Sequence, residues 1–251
     1  MKSQPSGLST WRPSASLETL RERASLMRRI RAFFDARDML EVETPVLSRG
    51  ATVDPQIDSF TTRGGRWLQT SPEFAMKRLL AAGSGPIWQL ARVFRIDESG
   101  RHHNPEFSLL EWYRPGWDHH RLIDECDALL RALGATAQPC ERLSYREAFL
   151  RHAGVDPLRD SLEMLRASLP ASLVELALPD GDDIARRDFV LDLLMSHVVG
   201  PELGREVPLV LYDFPASQAA LARIRRDDPP VAERFEIFWR GIELANGFHE
   251  L

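Results

Sequence analysis

Two stretches with strand character flank a ten-residue polar loop, and this pattern constrains the fold more than any other. Ile87 to Arg95 and Glu106 to Arg114 are rich in branched and aromatic residues. Ile96 to Pro105, between them, carries charged residues, two histidines and an asparagine. Strand-like runs on either side of a polar loop predict a long β-hairpin.

The rest of the chain mixes helical and strand patterns. Apolar residues recur every three or four positions from Leu17 to Met39, and Ser16 is placed to cap this helix. Leu40 to Leu47 alternates like a strand, and Ser71-Pro72-Glu73 predicts a helix start with proline at the first helical position. Further helices are expected over 121–133, 145–152, 161–169, 184–199 and 216–225. Further strands are expected over 67–70, 209–212 and 234–244, the last reaching an Asn246-Gly247 turn. Without a Walker or Rossmann glycine loop, an α+β sheet domain is expected.

Composition limits the class of protein. The 251 residues are 43% hydrophobic and 27% charged, which is typical of a chain that buries a core. Cys126 and Cys140 lack metal-site spacing, so free thiols in a reducing compartment are expected. Neither a signal peptide nor a membrane-length apolar run is visible, and we expect a cytoplasmic protein. The net charge of −5 argues against a surface that binds nucleic acid throughout.

The second strand of the hairpin offers groups for an amine and a nucleotide. Strand alternation puts Phe107, Glu111 and Tyr113 on one face. A carboxylate and a phenol can hold an ammonium group, and the phenylalanine ring can stack on a base. Arg95, at the end of the partner strand, could contact a phosphate. On spacing alone, an amphipathic hairpin with surface charges is the favoured interpretation.

Two further groups of residues raise the question of metal binding. Glu243 and Glu250 lie around the expected Asn-Gly turn and could hold Mg²⁺ against phosphates, although two solvated glutamates are the simpler interpretation. His102 and His103 are adjacent on a loop, where neighbouring side chains point apart. Zinc is therefore not expected at the histidine pair, and contact with a phosphate or a base is favoured.

The motifs together resemble a known family. Phe94 to Glu98, His103 to Phe107 and Leu110 to Tyr113 resemble the second signature of class II aminoacyl-tRNA synthetases, in its lysyl form. Glu41 to Pro45, with the preceding helix, resembles the first signature. The similarity runs from about Trp11 to the last residue. It implies a homodimer and an antiparallel sheet of six or seven strands flanked by helices. The polar composition before the first helix predicts a flexible arm over 1–16, and the resemblance implies a class II synthetase-like catalytic domain over 17–251.

The resemblance also implies an activity, in which ATP and an amino acid give an aminoacyl-adenylate and pyrophosphate. The strings at 70–73, 111–115, 214–218 and 241–251 are closest to a subgroup that modifies a protein and not a tRNA. The resemblance therefore implies transfer of lysine or (R)-β-lysine to a lysine side chain of elongation factor P, with Mg²⁺ as cofactor. Which of the two isomers is preferred stays open.

The resemblance assigns site residues position by position. Arg95 is the catalytic contact to the α-phosphate. The other positions for ATP are Ile96, Asp97, Asn104, Phe107, Glu243 and Leu244. The positions for the amino acid are Ser71, Pro72, Glu73, Glu111, Tyr113 and Glu250. Magnesium is assigned to Glu243 and Glu250.

Two departures from the family pattern affect these expectations. Asp97 stands at the acidic position of the second signature with Glu98 beside it, so either could reach adenine. The third class II signature has no counterpart before Leu251, which predicts a fragment or a shortened homologue with weak or no adenylation activity. Robust ATP–pyrophosphate exchange by the 251-residue chain would refute that prediction.

Two alternatives to the protein-modifying ligase stay open. A lysyl-tRNA synthetase of this type carries a five-stranded anticodon-binding barrel, which the residues before Leu17 cannot hold. A non-catalytic, synthetase-like binding protein fits the missing third signature. Titration with ATP and lysine would separate it from an enzyme, because a binding module need not release pyrophosphate.

Overall fold

The computed structural model describes residues 13–53, 57–96, 100 and 103–250. The chain divides into two compact units, Met1–Tyr113 and Arg114–Leu251. The residues of each unit that the structure describes form their own sheet and their own buried core. None of the described helices is both long enough and apolar enough to cross a membrane.

The first unit contains the predicted hairpin. Its elements are helix α1 (Leu17–Asp35), strands β1 (Leu40–Glu41), β2 (Leu47–Ser48) and β3 (Trp67–Leu68), helix α2 (Glu73–Ala81), and strands β4 (Ile87–Phe94) and β5 (Glu106–Tyr113). One sheet has the order β1-β4-β5, and β2 pairs with β3 separately. Antiparallel pairing of β4 with β5, from Ile87–Tyr113 to Phe94–Glu106, confirms the hairpin.

Helix α1 begins where the sequence predicts but ends earlier. The side chain of Ser16 accepts a hydrogen bond from the Thr19 amide at 3.1 Å, which is the expected cap. The helix ends at Asp35 and does not reach Met39. Asp38 adopts a left-handed φ of 53°, which is incompatible with a continuing right-handed helix.

The apolar stripe of α1 is buried only toward its C-terminal end. Phe34 is fully buried and stacks on Trp88, with ring centroids 4.8 Å apart. Leu20, a member of the same predicted stripe, is 46% exposed, and Leu17 is 70% exposed. The first turns of α1 therefore present apolar surface.

Two local predictions for the first unit are wrong. Leu40 to Leu47 does not form one strand but contributes the two short strands β1 and β2. Pro45 lies between them and has no N–H to donate to a sheet. Pro72 occupies the N-cap of α2 and not the first helical position, which belongs to Glu73.

The second unit contains a five-stranded sheet and most of the helices. Its helices are α3 (His119–Ala132), α4 (Tyr145–His152), α5 (Leu162–Ala167), α6 (Ala171–Val174) and α7 (Asp183–Leu194), the last continued by a π-helical turn over Met195–Val199 and a 3-10 turn over Gly200–Glu202. Its strands are β6 (Glu141–Ser144), β7 (Leu209–Pro215), β8 (Ile224–Arg225), β9 (Val231–Trp239) and β10 (Ile242–Phe248). The strand order is β10-β9-β7-β6, and β8 pairs with β9.

Two predictions for the second unit are also wrong. The expected helix over 216–225 is a short 3-10 turn, Ala216–Gln218, followed by β8, because pairing with β9 outweighs local helix propensity. Asn246 and Gly247 lie inside β10 and form no turn. The hairpin turn is at Arg240 and Gly241, whose φ angles of 53° and 72° fit a two-residue type I′ turn.

The α+β class expected from the sequence is confirmed, with two differences in the pairing of strands. Most strand pairs are antiparallel, but β1 with β4 and β6 with β7 are parallel. The described strands lie in sheets of three, five and two strands, where the resemblance implied one of six or seven.

Candidate active site

The hairpin of the first unit places three polar side chains together, two of them on one face of β5. Tyr113 donates its hydroxyl proton to one oxygen of Glu111 at 2.7 Å, and Ser71 donates to the other oxygen at 2.8 Å. The predicted alternation along β5 accounts for the first contact. The second joins residues 40 positions apart and comes from the loop before α2. Glu111 is thus held as an oriented acceptor with both oxygens bonded.

Burial raises the pKa of Glu111 above its ordinary value. The hydrogen bonds from Tyr113 and Ser71 act in the opposite direction, the charge of Glu73 adds to the rise, and Lys77 reduces it. Burial therefore outweighs the groups that stabilise the carboxylate. A cation beside Glu111 would favour its charged form and would itself be strongly bound.

The start of α2 supplies the neighbouring charges. Ser71 accepts a hydrogen bond from the Glu73 amide at 3.0 Å, next to the buried Pro72. Lys77, one turn further along the helix, contacts the Glu73 carboxylate at 2.7 Å. The sequence reasoning missed Lys77, although a glutamate four residues before a lysine on a helix is a recognisable ion-pair signal. An ammonium group therefore already lies beside these carboxylates.

Arg95 and Phe107 lie together at the end of the hairpin. The guanidinium carbon is 5.1 Å from the centre of the phenylalanine ring, and Arg95 Nε donates to the carbonyl oxygen of Thr70 at 3.3 Å. An arginine beside an aromatic ring can meet a phosphate while the ring stacks on a base. The structure brings this predicted pair together.

The loop of the hairpin is described only in part. Asn104 is exposed, and the amide of Ile96 donates to the carbonyl oxygen of Asp58 at 3.2 Å. Asp97 and Glu98 lie outside the described residues, so their assignment to adenine stays a prediction. The same is true of His102.

In the second unit, the β9–β10 hairpin brings Glu243 close to Glu236. Burial raises the pKa of Glu236 to about 7, the like charge of Glu243 adds to the rise, and Arg234 opposes it. Arg234 donates to Glu236 at 2.5 Å. The sequence reasoning missed Glu236 because the misplaced turn hid which residues of the two strands face each other. Two neighbouring carboxylates, one of them half-buried, can provide oxygen ligands for Mg²⁺.

A β-bulge in β10 decides which side chains share a face with Glu243. Glu243 pairs with Phe238, but Ala245 pairs with Ile237, so one extra residue is present between them. The bulge places Glu243 on the same face as Asn246 and the alternate residues that follow it. On a regular strand, side chains three positions apart would lie on opposite faces.

Glu250 lies just beyond β10, where it forms an isolated bridge with Ala222. By alternation it shares the face of Glu243. The structure also brings the carboxylate of Glu236 next to Glu243. The assignment of magnesium to Glu243 and Glu250 stays a prediction. Leu244, the other predicted ATP contact, is 50% exposed.

The expectation of free thiols is confirmed. Cys126 and Cys140 are both unpaired and buried. Burial raises the pKa of Cys140 to about 12, with a further rise from Asp127. Neither thiol belongs to the candidate site.

Comparison with known proteins gives the class first. Residues 6–251 match the class II tRNA synthetases (D, K and N), and the chain belongs to this family. The resemblance expected from the hairpin motifs is confirmed, and with it the synthetase type of fold. The chain is therefore an enzyme of a ligase family.

Individual relatives are more specific. The elongation factor P–(R)-β-lysine ligase of Vibrio cholerae is 50% identical over 97% of this chain and 76% of the relative. The ligase of the same name from Vibrio vulnificus is 51% identical over 96% of this chain and 76% of the relative. The one from Salmonella typhi is 50% identical over the same shares of the two chains.

Proposed function

We propose that this enzyme activates lysine or (R)-β-lysine with ATP and transfers it to a lysine side chain of elongation factor P. Half of the aligned residues are identical to those of ligases named for this reaction, over nearly the whole chain, and this observation carries the proposal. The proposal includes the domain predicted over 17–251, a homodimer and a cytoplasmic location.

The amine of the substrate is assigned to the pocket of Glu111. Ser71 and Tyr113 orient both carboxylate oxygens, and Glu73 adds a second negative charge. A charged amine accepted there would form charge-assisted hydrogen bonds, which are shorter and stronger than neutral ones. Substrate binding would rearrange the ion pair between Glu73 and Lys77, because that ammonium lies beside the same carboxylates.

Activation requires positioning more than proton transfer. The substrate carboxylate is already a nucleophile, and it attacks the α-phosphorus of ATP while the bond to pyrophosphate breaks. Arg95 would stabilise charge on the α-phosphate, and Phe107 would hold the adenine ring. In the second step the lysine amine of elongation factor P attacks the acyl carbon, loses a proton and displaces AMP.

Glu236 and Glu243 fit a magnesium ion because they are adjacent carboxylates whose mutual repulsion a cation would relieve. Bound magnesium would supply charge neutralisation for the triphosphate. The protein's own task there is to aim the Glu236 carboxylate from β9, and a bound cation would offset the burial that favours its protonated form. Arg234, at 2.5 Å, orients it. Glu250 stays a proposed contact to the amino acid and, with Glu243, a proposed magnesium ligand. Leu244 stays a proposed contact to ATP.

Mass spectrometry of elongation factor P tests the proposal. The factor is incubated with the enzyme and ATP in two separate reactions, one with lysine and one with (R)-β-lysine, since the two isomers give products of equal mass. A lysine-sized mass increase in either reaction supports the proposal. Omission of ATP should abolish the increase, because the acyl group must first be activated.

The same reactions separate the alternative functions. Parallel incubation with tRNA should give no aminoacylation, and charged tRNA with unmodified elongation factor P would contradict the proposal. Binding of ATP and lysine by titration without release of pyrophosphate would identify a binding protein. Each outcome therefore selects one of the three functions.

A further inference from the structure

Three side chains outside the candidate active site form a cluster of metal-ligating groups in the second unit. His119 begins α3, Glu233 lies in β9, and His249 directly follows β10. Each offers one ligand atom, and these atoms all lie within 4.8 Å of one another. Two imidazoles and a carboxylate are a common ligand set for Zn²⁺.

His119 is the member whose state is unexplained. Its side chain is 2% exposed, and Nε2 lies 3.2 Å from an oxygen of Asp213. The other ring nitrogen, Nδ1, is buried and has no hydrogen-bond partner among the described residues. A buried polar atom of this kind normally has a partner, so its lack of one points to a missing ligand.

Asp213 fixes which nitrogen of His119 is available. The Asp213 carboxylate is bound by the Arg225 guanidinium and lies 3.2 Å from His119 Nε2. A carboxylate paired in this way accepts a proton, so Nε2 is the nitrogen that would donate and Nδ1 would keep its lone pair for a ligand. A carboxylate behind a ligating histidine is the usual arrangement in zinc sites.

The backbone is specialised to hold Asp213 in this position. It has a left-handed φ of 59° and lies at an irregularity in the pairing of β7 with β9. Arg225 contacts both of its oxygens, at 3.2 and 2.6 Å. Such strain is found where a side chain must be aimed.

The other two ligands are already in contact. His249 Nδ1 lies 2.5 Å from an oxygen of Glu233. Arg225 lies 3.8 Å from the other oxygen of Glu233, which is a long ion pair that a cation could replace. Alternation along β9 puts Glu233 on the opposite face from Arg234 and Glu236. The cluster is thus separate from the proposed magnesium pair.

We propose that His119, Glu233 and His249 bind one Zn²⁺ ion and that Asp213 positions His119. Ligands of tetrahedral zinc lie about 3.4 Å apart, given bond lengths near 2.1 Å. The widest separation in the cluster must therefore shrink by roughly 1.4 Å at most. Two imidazole ligands select zinc over magnesium, which prefers oxygen. The ion would tie the start of α3 to the β9–β10 hairpin.

Equilibrium dialysis of the metal-free 251-residue chain against Zn²⁺ tests the site. Excess Mg²⁺ is included to occupy oxygen-only sites, and bound zinc is measured by elemental analysis. We expect one Zn²⁺ per chain. The variants His119→Gln and His249→Gln should bind at least 100-fold more weakly, and Asp213→Asn about 10- to 100-fold more weakly. Asparagine tolerates the left-handed backbone at 213.

His120→Gln is the matched control, since His120 neighbours His119 on the same helix but lies outside the cluster. It should bind zinc like the wild type. Circular dichroism establishes that each variant is folded. If His119→Gln does not fold, His249→Gln tests the site alone, because His249 is less buried than His119. The visible spectrum of the Co²⁺ form should show tetrahedral coordination in the wild type and in His120→Gln, but not in His119→Gln or His249→Gln.

Less than one Zn²⁺ per folded wild-type chain would overturn the proposal. Equal zinc affinity of the His119→Gln, His249→Gln and His120→Gln variants would also overturn it. Both results concern metal content alone and are independent of whether elongation factor P is modified.

Discussion

At the scale of single residues, Glu111 shows how far local pattern reaches. Alternation along a strand predicts that it shares a face with Tyr113, because the side-chain period of two depends on the backbone alone. The bond from Ser71 and the nearby Lys77 come from another element, and no local period encodes them. The sequence therefore predicted the contact of Glu111 with Tyr113 but not its contact with Ser71.

Replacement of Glu111 by glutamine should weaken binding of the amino acid about 10- to 150-fold. This range corresponds to loss of a charge-assisted hydrogen bond worth about 1.5–3 kcal/mol. Titration calorimetry with lysine and with (R)-β-lysine measures the effect. Glu106→Gln is the control, because Glu106 is in the same strand but exposed at the other end. Unchanged affinity in folded Glu111→Gln would exclude this role.

Glu236 should make the stability of the chain depend on pH. Its pKa is raised from 4.5 to about 7, so the fold disfavours the charged form. The stabilisation relative to an ordinary glutamate is present below pH 4.5 and is lost as the pH rises through about 7. The full effect is on the order of 3 kcal/mol. In urea unfolding at pH 5.5, 7 and 8.5, the free energy of unfolding of Glu236→Gln should increase relative to that of the wild type as the pH rises.

Magnesium should oppose this trend, because it requires the deprotonated carboxylate. Added Mg²⁺ should stabilise the wild type more at pH 8.5 than at pH 5.5, and should do little for Glu236→Gln. A difference between wild type and variant that is constant across this pH range would contradict the raised pKa of Glu236.

At the scale of elements, the β9–β10 hairpin shows why boundaries are harder to predict than strands. The apolar alternation of Phe235 and Ile237 was visible, and both side chains are buried. The turn was misplaced because Asn-Gly is a strong hairpin signal. Gly247 instead allows close packing, since a Cβ there would lie 2.4 Å from the ring of Phe235. A contact of this kind between two strands cannot be predicted from the residues of one strand alone.

Gly204→Ala should destabilise the second unit. Gly204 has a φ of +65°, and a Cβ there would lie 2.3 Å from the carbonyl oxygen of Phe238 in β9. The backbone of β9 cannot rotate away as a side chain can. We therefore expect the free energy of unfolding to fall by at least about 2 kcal/mol. Urea denaturation measures it. Gly50→Ala, with open space at its Cβ, should change stability by less than about 0.5 kcal/mol. Equal midpoints for the two variants would refute the clash.

At the scale of the whole molecule, the sequence predicted the class of protein better than its arrangement of strands. Signature strings are short and local, so Phe94 to Tyr113 was enough to indicate the family. Sheet membership depends on long-range pairing, as between β6 and β7, which the sequence reasoning could not supply. The exposed leucines at the start of α1 also concern the whole molecule, because a contiguous apolar surface on a helix is a candidate interface.

We expect α1 to contribute to the proposed homodimer. Leu20→Glu would place a charge on its apolar surface and should weaken self-association at least about tenfold, as followed by light scattering across a concentration series. Leu150→Glu is the control, since Leu150 has the same 46% exposure but lies in α4. A chain that is monomeric throughout, or equal dissociation of the two variants, would rule out this interface.

The single extra residue in β10 has a practical consequence for protein design. Anyone transplanting this hairpin into another scaffold must carry the irregularity near Leu244 with it. A strand copied with ideal pleating would turn Glu243 to the other face of the sheet and separate its carboxylate from that of Glu236.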